Sequence, residues 1–156
     1  MTGTGPAVVV GVDGSDGSRA ALRHALDEAG RRRAGLRVVV VYAPSDYWAD
    51  LVALDRRPPT PDPGTGATAR ARAMVQEVVA ERRARAATLP ADEVEVVGAA
   101  GPPADVLIDA ADGAELLVVG HRGRGAAHGR LTGPVALGCV LRSRCPVTVV
   151  PPTSAG

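Results

Sequence analysis

Ala7-Val8-Val9-Val10-Gly11-Val12-Asp13-Gly14-Ser15-Asp16-Gly17 is the stretch on which the fold turns. It opens as a short β-branched run, the composition of a buried strand, and stops at once in aspartate, glycine and serine, which reverse or cap a chain. Downstream, from about Gly17 to Arg33, the apolar residues Ala21, Leu22, Ala25 and Leu26 recur at helical spacing, with Ser15 or Asp16 available as the N-cap. Arg31-Arg32-Arg33 then falls where positive charge complements a helix C-terminus, so a solvated helix end explains it better than a nucleic-acid patch. A second valine-rich strand follows at Leu36 to Ala43. Strand, turn, helix and strand in this order make a parallel crossover unit.

The same grammar continues to the end of the chain. Residues 44–66 carry Tyr47, Trp48 and the run Pro58-Pro59-Thr60-Pro61-Asp62-Pro63, which predicts a long flexible loop. A helix over about Ala67 to Ala87 is expected to turn Ala73, Val75, Val78 and Val79 toward the sheet. Further strands are expected at Glu93 to Gly98, Glu115 to Gly120 and Pro146 to Val150. The helices between them open at Pro102-Pro103, running to Ala111 with Val106, Leu107 and Ala110 inward, and at Pro134, running to Ser143. The order βαβαβαβαβ implies one α/β domain over residues 1–156, a five-stranded, mostly parallel sheet with helices on both faces. Ligands of such sheets bind beyond the carboxyl ends of the strands, where the winding reverses. The polar, glycine-bearing loops after the first and fourth strands are therefore the candidate site.

Composition narrows the function. The chain has 156 residues, is 46% hydrophobic with no Phe, and carries a formal net charge of +1. That is enough apolar material for one core of small and branched aliphatics, and too little net charge for a dedicated nucleic-acid or membrane-surface protein. Every Lys/Arg position is Arg, which excludes Schiff-base lysine chemistry and a Walker A loop. The longest apolar run, Leu36 to Ala43, is broken by Arg37 and is too short to span a bilayer. Cys139 and Cys145 read as packed thiols, and with no signal-peptide pattern at the start the expected compartment is the cytoplasm.

The loop after the fourth strand reads Gly120-His121-Arg122-Gly123-Arg124-Gly125-Ala126-Ala127-His128-Gly129-Arg130-Leu131-Thr132-Gly133. Glycines let backbone amides approach an anion, a helix start just beyond Gly133 aims free N–H groups at it, and arginines supply charged partners. A glycine-rich surface loop without a ligand is the competing reading of the same composition. Gly123 and Gly125 do not make a dinucleotide fingerprint, because no helix follows them directly. Ser15 lacks the glycine-flanked elbow of a hydrolase nucleophile and reads as a helix cap. His24, His121 and His128 lack the spacing of a metal site, and no aromatic residues interleave with Arg122-Gly123-Arg124-Gly125 to stack RNA bases. No catalytic base stands out, so a binding protein is expected rather than an enzyme.

Gly120, Gly123 and Gly133, preceded by Leu116-Leu117-Val118-Val119 and followed by Val140 to Val150, together resemble the C-terminal signature of universal stress proteins. The opening Val8 to Ser15 resembles their first strand and turn. The resemblance covers essentially the whole chain and implies a Rossmann-like, adenine nucleotide alpha hydrolase-like fold. It implies an adenine-nucleotide site for ATP, or AMP or ADP, with magnesium as an accompanying ion. Asp13, flanked by Val12, matches the family's adenine contact; Gly120, Arg122, Gly123 and Gly133 match its ribose and phosphate contacts; Val119 and Val135 match further contact positions, and Ala43 a position near the adenine at the end of the second strand. It also implies a homodimer paired through Pro146 to Val150, and a stress-response or regulatory role. The chain departs from the family pattern at Pro134, where Ser or Thr is usual, and at Ala136. The alternative is therefore a nucleotide-independent interaction protein that has lost phosphate binding.

Overall fold

A computed structural model of the chain describes residues 5–42, 63–85, 94–121 and 133–152. The valine-rich run forms strand β1 (Ala7–Val12), and helix α1 (Asp16–Arg32) follows it. Ser15 is the N-cap, its Oγ accepting the Ser18 N–H at 3.2 Å. At the other end Arg33 adopts φ 52°, and its N–H reaches the Gly30 carbonyl at 3.3 Å to close the helix. Then come β2 (Gly35–Tyr42), α2 (Pro63–Arg85), β3 (Val94–Ala100), α3 (Pro103–Ala110), β4 (Leu116–Gly120), α4 (Pro134–Arg142) and β5 (Val147–Val150).

All five strands are parallel, in the order β3-β2-β1-β4-β5, with Val10 of β1 between Val38 of β2 and Val118 of β4. Side chains alternate across a strand, so the two faces of β1 feed different cores. Val8, Val10 and Val12 pack with α1 and α2, through Leu22, Leu26, Met74 and Val78. Val9 packs on the other face with Leu107 of α3 and Cys139 of α4. Burial on both faces is why the central strands read as near-continuous valine rather than as an alternating pattern.

Helix α2 differs from its sequence reading in two respects. It begins at Pro63, so residues 63–66 of the expected 44–66 loop belong to the helix. A proline is tolerated in a first turn because its missing N–H has no partner to lose there. Its inner stripe is Ala71, Met74, Val75 and Val78, while Ala73 is exposed, since helical phase places 71, 74, 75 and 78 on one face. The remainder of the 44–66 segment lies outside the described residues. A row of ion pairs ties α2 to α1: Arg19–Glu77 at 2.9 Å, Arg23–Glu81 at 2.9 Å, and Asp27–Arg82. The Arg23 hydrogen bond holds the Glu81 carboxyl below its ordinary range. Among the described residues, no helix is long and apolar enough to cross a membrane.

Candidate functional site

The winding reverses between β1 and β4, and the chain is shaped there by hydrogen bonds and by a close backbone approach. Asp13 follows directly on β1. Its Oδ1 accepts the Ser15 N–H at 2.9 Å and the Ser15 hydroxyl at 2.5 Å, while Gly14 between them takes φ 82°. The Ser18 hydroxyl donates to the Ser15 carbonyl at 2.9 Å. One turn thus fixes both the carboxylate of Asp13 and the start of α1.

Beside it, β4 ends at Gly120. A Cβ on Gly120 would lie 3.0 Å from the carbonyl carbon and oxygen of Gly17, so glycine is what lets β4 finish against the first turn of α1. The His121 N–H then donates to the Val150 carbonyl at 2.8 Å, and the Gly133 N–H to the His121 carbonyl at 2.8 Å. These bonds bring the far end of the glycine-rich loop back to the strand. Gly133 caps α4 in an extended conformation without a side-chain bond, and Pro134 occupies the first helical position. Because the Leu137 N–H is taken by the Gly133 carbonyl at 3.0 Å, the first-turn donors that α4 presents are the Val135 and Ala136 amides.

A cavity of about 850 Å³ opens at this junction. Val12, Asp13, Val119, Gly120, Gly133 and Val135, all expected from sequence to form the site, line it together. Ala43, Arg122 and Gly123, also expected there, lie outside the described residues. Tyr42 of β2, Leu107 of α3 and Met74 of α2 extend its apolar wall, and Arg19, Arg70, Glu77 and His121 add polar groups. The share contributed by α2 was not anticipated, because nothing local in Arg70-to-Glu77 distinguishes a cavity wall from a solvated helix face. Tyr42 carried a partial signal in its position next to Ala43.

The other residues singled out from sequence take separate places. His24 lies on α1, away from His121 at the end of β4, and the described residues contain no group of three His, Cys, Asp or Glu side chains that could hold a metal ion. Cys139 is fully buried and Cys145 half-buried, both as free thiols in the core beneath α3 and α4. Burial pushes the Cys139 thiol up from its ordinary range, outweighing the opposing charge of Arg142. Ser15, considered as a nucleophile, is the α1 cap.

The family model described as "Universal stress protein family" matches residues 6–151. The chain belongs to the universal stress protein family. A universal stress protein of Mycobacterium tuberculosis strain H37Rv is 36% identical over 143 residues, which is 91% of this chain and 44% of that protein. The chain therefore spans about half the length of the first curated relatives it matches. A second universal stress protein of the same organism is 33% identical over 145 residues and is matched over nearly all of both chains, 92% of this one and 94% of the other. Among solved structures, a universal stress protein in complex with cAMP superposes with a TM-score of 0.63 at 29% identity, covering 96% of this chain and 98% of that one. The universal stress protein fold of this chain is thus supported both by the family match and by the superposition.

Proposed function

We propose that this universal stress protein domain binds an adenine nucleotide in the cavity between the end of β1 and the start of α4, and serves as a cytoplasmic stress-response or regulatory module. The observation that carries the reading is convergence: six residues expected from sequence to contact a nucleotide line one cavity of about 850 Å³ at the switch point of the sheet. The cAMP complex of a relative supports the ligand class. In this arrangement Asp13 accepts a hydrogen bond from the adenine, and the apolar wall of Val12, Val119, Leu107 and Met74 excludes water from the base. The Val135 and Ala136 amides and the α4 dipole face the phosphates. Magnesium accompanying the ligand would be held through phosphate oxygens and water, since the described residues offer no cluster of side chains that could hold a metal ion, and it would neutralise phosphate charge there. Asp13 is engaged by the Ser15 turn, which suits recognition better than proton abstraction, so the module binds rather than turns over its ligand.

A second reading, a nucleotide-independent interaction protein, is favoured by Pro134 alone: its ring stands in the cavity wall where an amide donor and a hydroxyl are missing. Mass spectrometry of small molecules released from gently purified protein separates the two. An adenine nucleotide at near-stoichiometric amount is expected, and its absence together with no binding of added ATP favours the second reading.

The same proposal includes a homodimer through β5, which lies at the edge of the sheet. Pro146 and Val150 direct their carbonyls to Leu117 of β4 and to His121 just beyond it, so the alternate residues Val147 and Val149 turn their backbone groups outward. An apolar edge of this kind, with no further strand beside it among the described residues, suits pairing with a two-fold mate.

A further inference from the structure

The Arg19–Glu77 ion pair is at once the cavity end of the α1–α2 seam and part of the cavity wall. Among the described lining residues the arginines are Arg19 and Arg70, and the carboxylates are Asp13 and Glu77. Arg19 projects from the first turns of α1, whose start touches the end of β4 through Gly17 and Gly120. Gly17 faces β4, whereas Arg19, two residues on, turns its side chain toward α2, where it enters the cavity wall. The Glu77 carboxylate already occupies its guanidinium, at 2.9 Å between Nη2 and Oε2.

We infer that Arg19 is an anion-binding residue of this cavity and that Glu77 is its built-in competitor, so that a phosphorylated ligand takes Arg19 away from Glu77. The inference rests on the nucleotide reading above and adds to it a selection by ligand charge. The chemistry favours exchange: the pair is exposed enough, with 30% and 61% of its side chains accessible, to be held weakly, whereas a guanidinium meets phosphate oxygens through two parallel hydrogen bonds. Arg23–Glu81 and Asp27–Arg82 continue the seam beyond the cavity, so loss of the first pair leaves α2 attached while freeing its cavity end.

The test is calorimetric titration of tripolyphosphate, ATP, AMP and adenosine into the parent, Glu77→Gln, Arg19→Gln and the double variant at low ionic strength. Removing the competitor is expected to tighten tripolyphosphate and ATP by about threefold to tenfold, AMP by less, and adenosine by under about twofold, in keeping with the modest strength of a part-exposed ion pair. Arg19→Gln is expected to weaken the same ligands, and Glu77→Gln in that background to give no gain. An equal effect on adenosine and ATP, a gain that persists without Arg19, or no anion binding in any variant overturns the inference. If tripolyphosphate follows the expected pattern while adenosine and the adenine moiety of ATP add nothing, the anion exchange stands and the adenine reading fails.

Discussion

Replacing Gly120 by alanine probes the junction on which the site depends. The new Cβ would stand 3.0 Å from both the carbonyl carbon and the oxygen of Gly17 and 3.4 Å from the Ser18 amide nitrogen. Those are backbone atoms in the first turn of α1, held by the Ser15 cap and by the Arg19 N–H bond to the Ser15 carbonyl at 3.0 Å, so no rotamer change can relieve the contact. Either β4 or α1 must shift by a few tenths of an ångström. Overpacking of this kind costs about 1–3 kcal/mol, which in a chain of this size lowers Tm by about 3–10 °C. A matched comparison is Gly11→Ala, whose Cβ would lie 2.7 Å from Cδ1 of Leu107, an even shorter contact but with a flexible side chain that can turn aside. Gly120→Ala is expected to be the more destabilising in urea unfolding and to weaken nucleotide binding as well, because His121 and Gly133 hang from the displaced strand end. Equal stability of Gly120→Ala and the parent, or a larger loss in Gly11→Ala, would refute the reasoning that backbone contact sets the cost.

Asp13→Asn retains an oxygen to accept the Ser15 N–H while removing the negative charge, and calorimetry should show ATP binding weakened about tenfold to a hundredfold, the value of a hydrogen bond to a charged group. Asp13→Ala should in addition cost about 1 kcal/mol in unfolding stability, since the turn that presents the Ser15 cap loses its anchor. Cys145 should react with a thiol reagent in the folded protein well before Cys139, which is fully buried and has its thiol pushed up by that burial; equal rates at neutral pH by mass spectrometry would contradict the placement. Val149→Pro removes an outward-facing donor without touching the bonds that the Pro146 and Val150 carbonyls accept from Leu117 and His121, so light scattering should show the proposed dimer in the parent and a monomer in the variant, and an unchanged dimer would place the interface elsewhere.

Much of this architecture was legible because its determinants are local. A β-branched run ending in Asp13-Gly14-Ser15 can hardly be anything but a strand meeting a capped helix, and the structure adds only which of Ser15 and Asp16 is the cap. The prolines at 103 and 134 likewise mark helix starts, because the first turn is where proline costs nothing. The inner face of α2 was misread at Ala73 because alanine serves equally well on either side of a helix, so the choice falls to phase, and Met74 holds the inward position. Its contribution to the cavity was not legible at all: Arg19 and Glu77 are 58 residues apart in the chain, and an ion pair across that separation leaves no pattern in either helix. The site residues on β1, β4 and α4 came from motif resemblance, and the sheet order explains why motifs so distant in sequence share a cavity, since β1 and β4 are neighbours at the point where the winding reverses.

The cavity at the ends of β1 and β4 is proposed to recognise an adenine nucleotide despite the proline at the start of α4. Calorimetric titration of ATP against GTP into the purified, nucleotide-free protein tests it most directly. One saturable site per chain is expected for ATP, with much weaker binding of GTP, whose carbonyl oxygen would face the Asp13 carboxylate where adenine offers an amino group, and loss of that preference in Asp13→Asn. Absence of saturable ATP binding, or equal affinity for the two nucleotides, would contradict it.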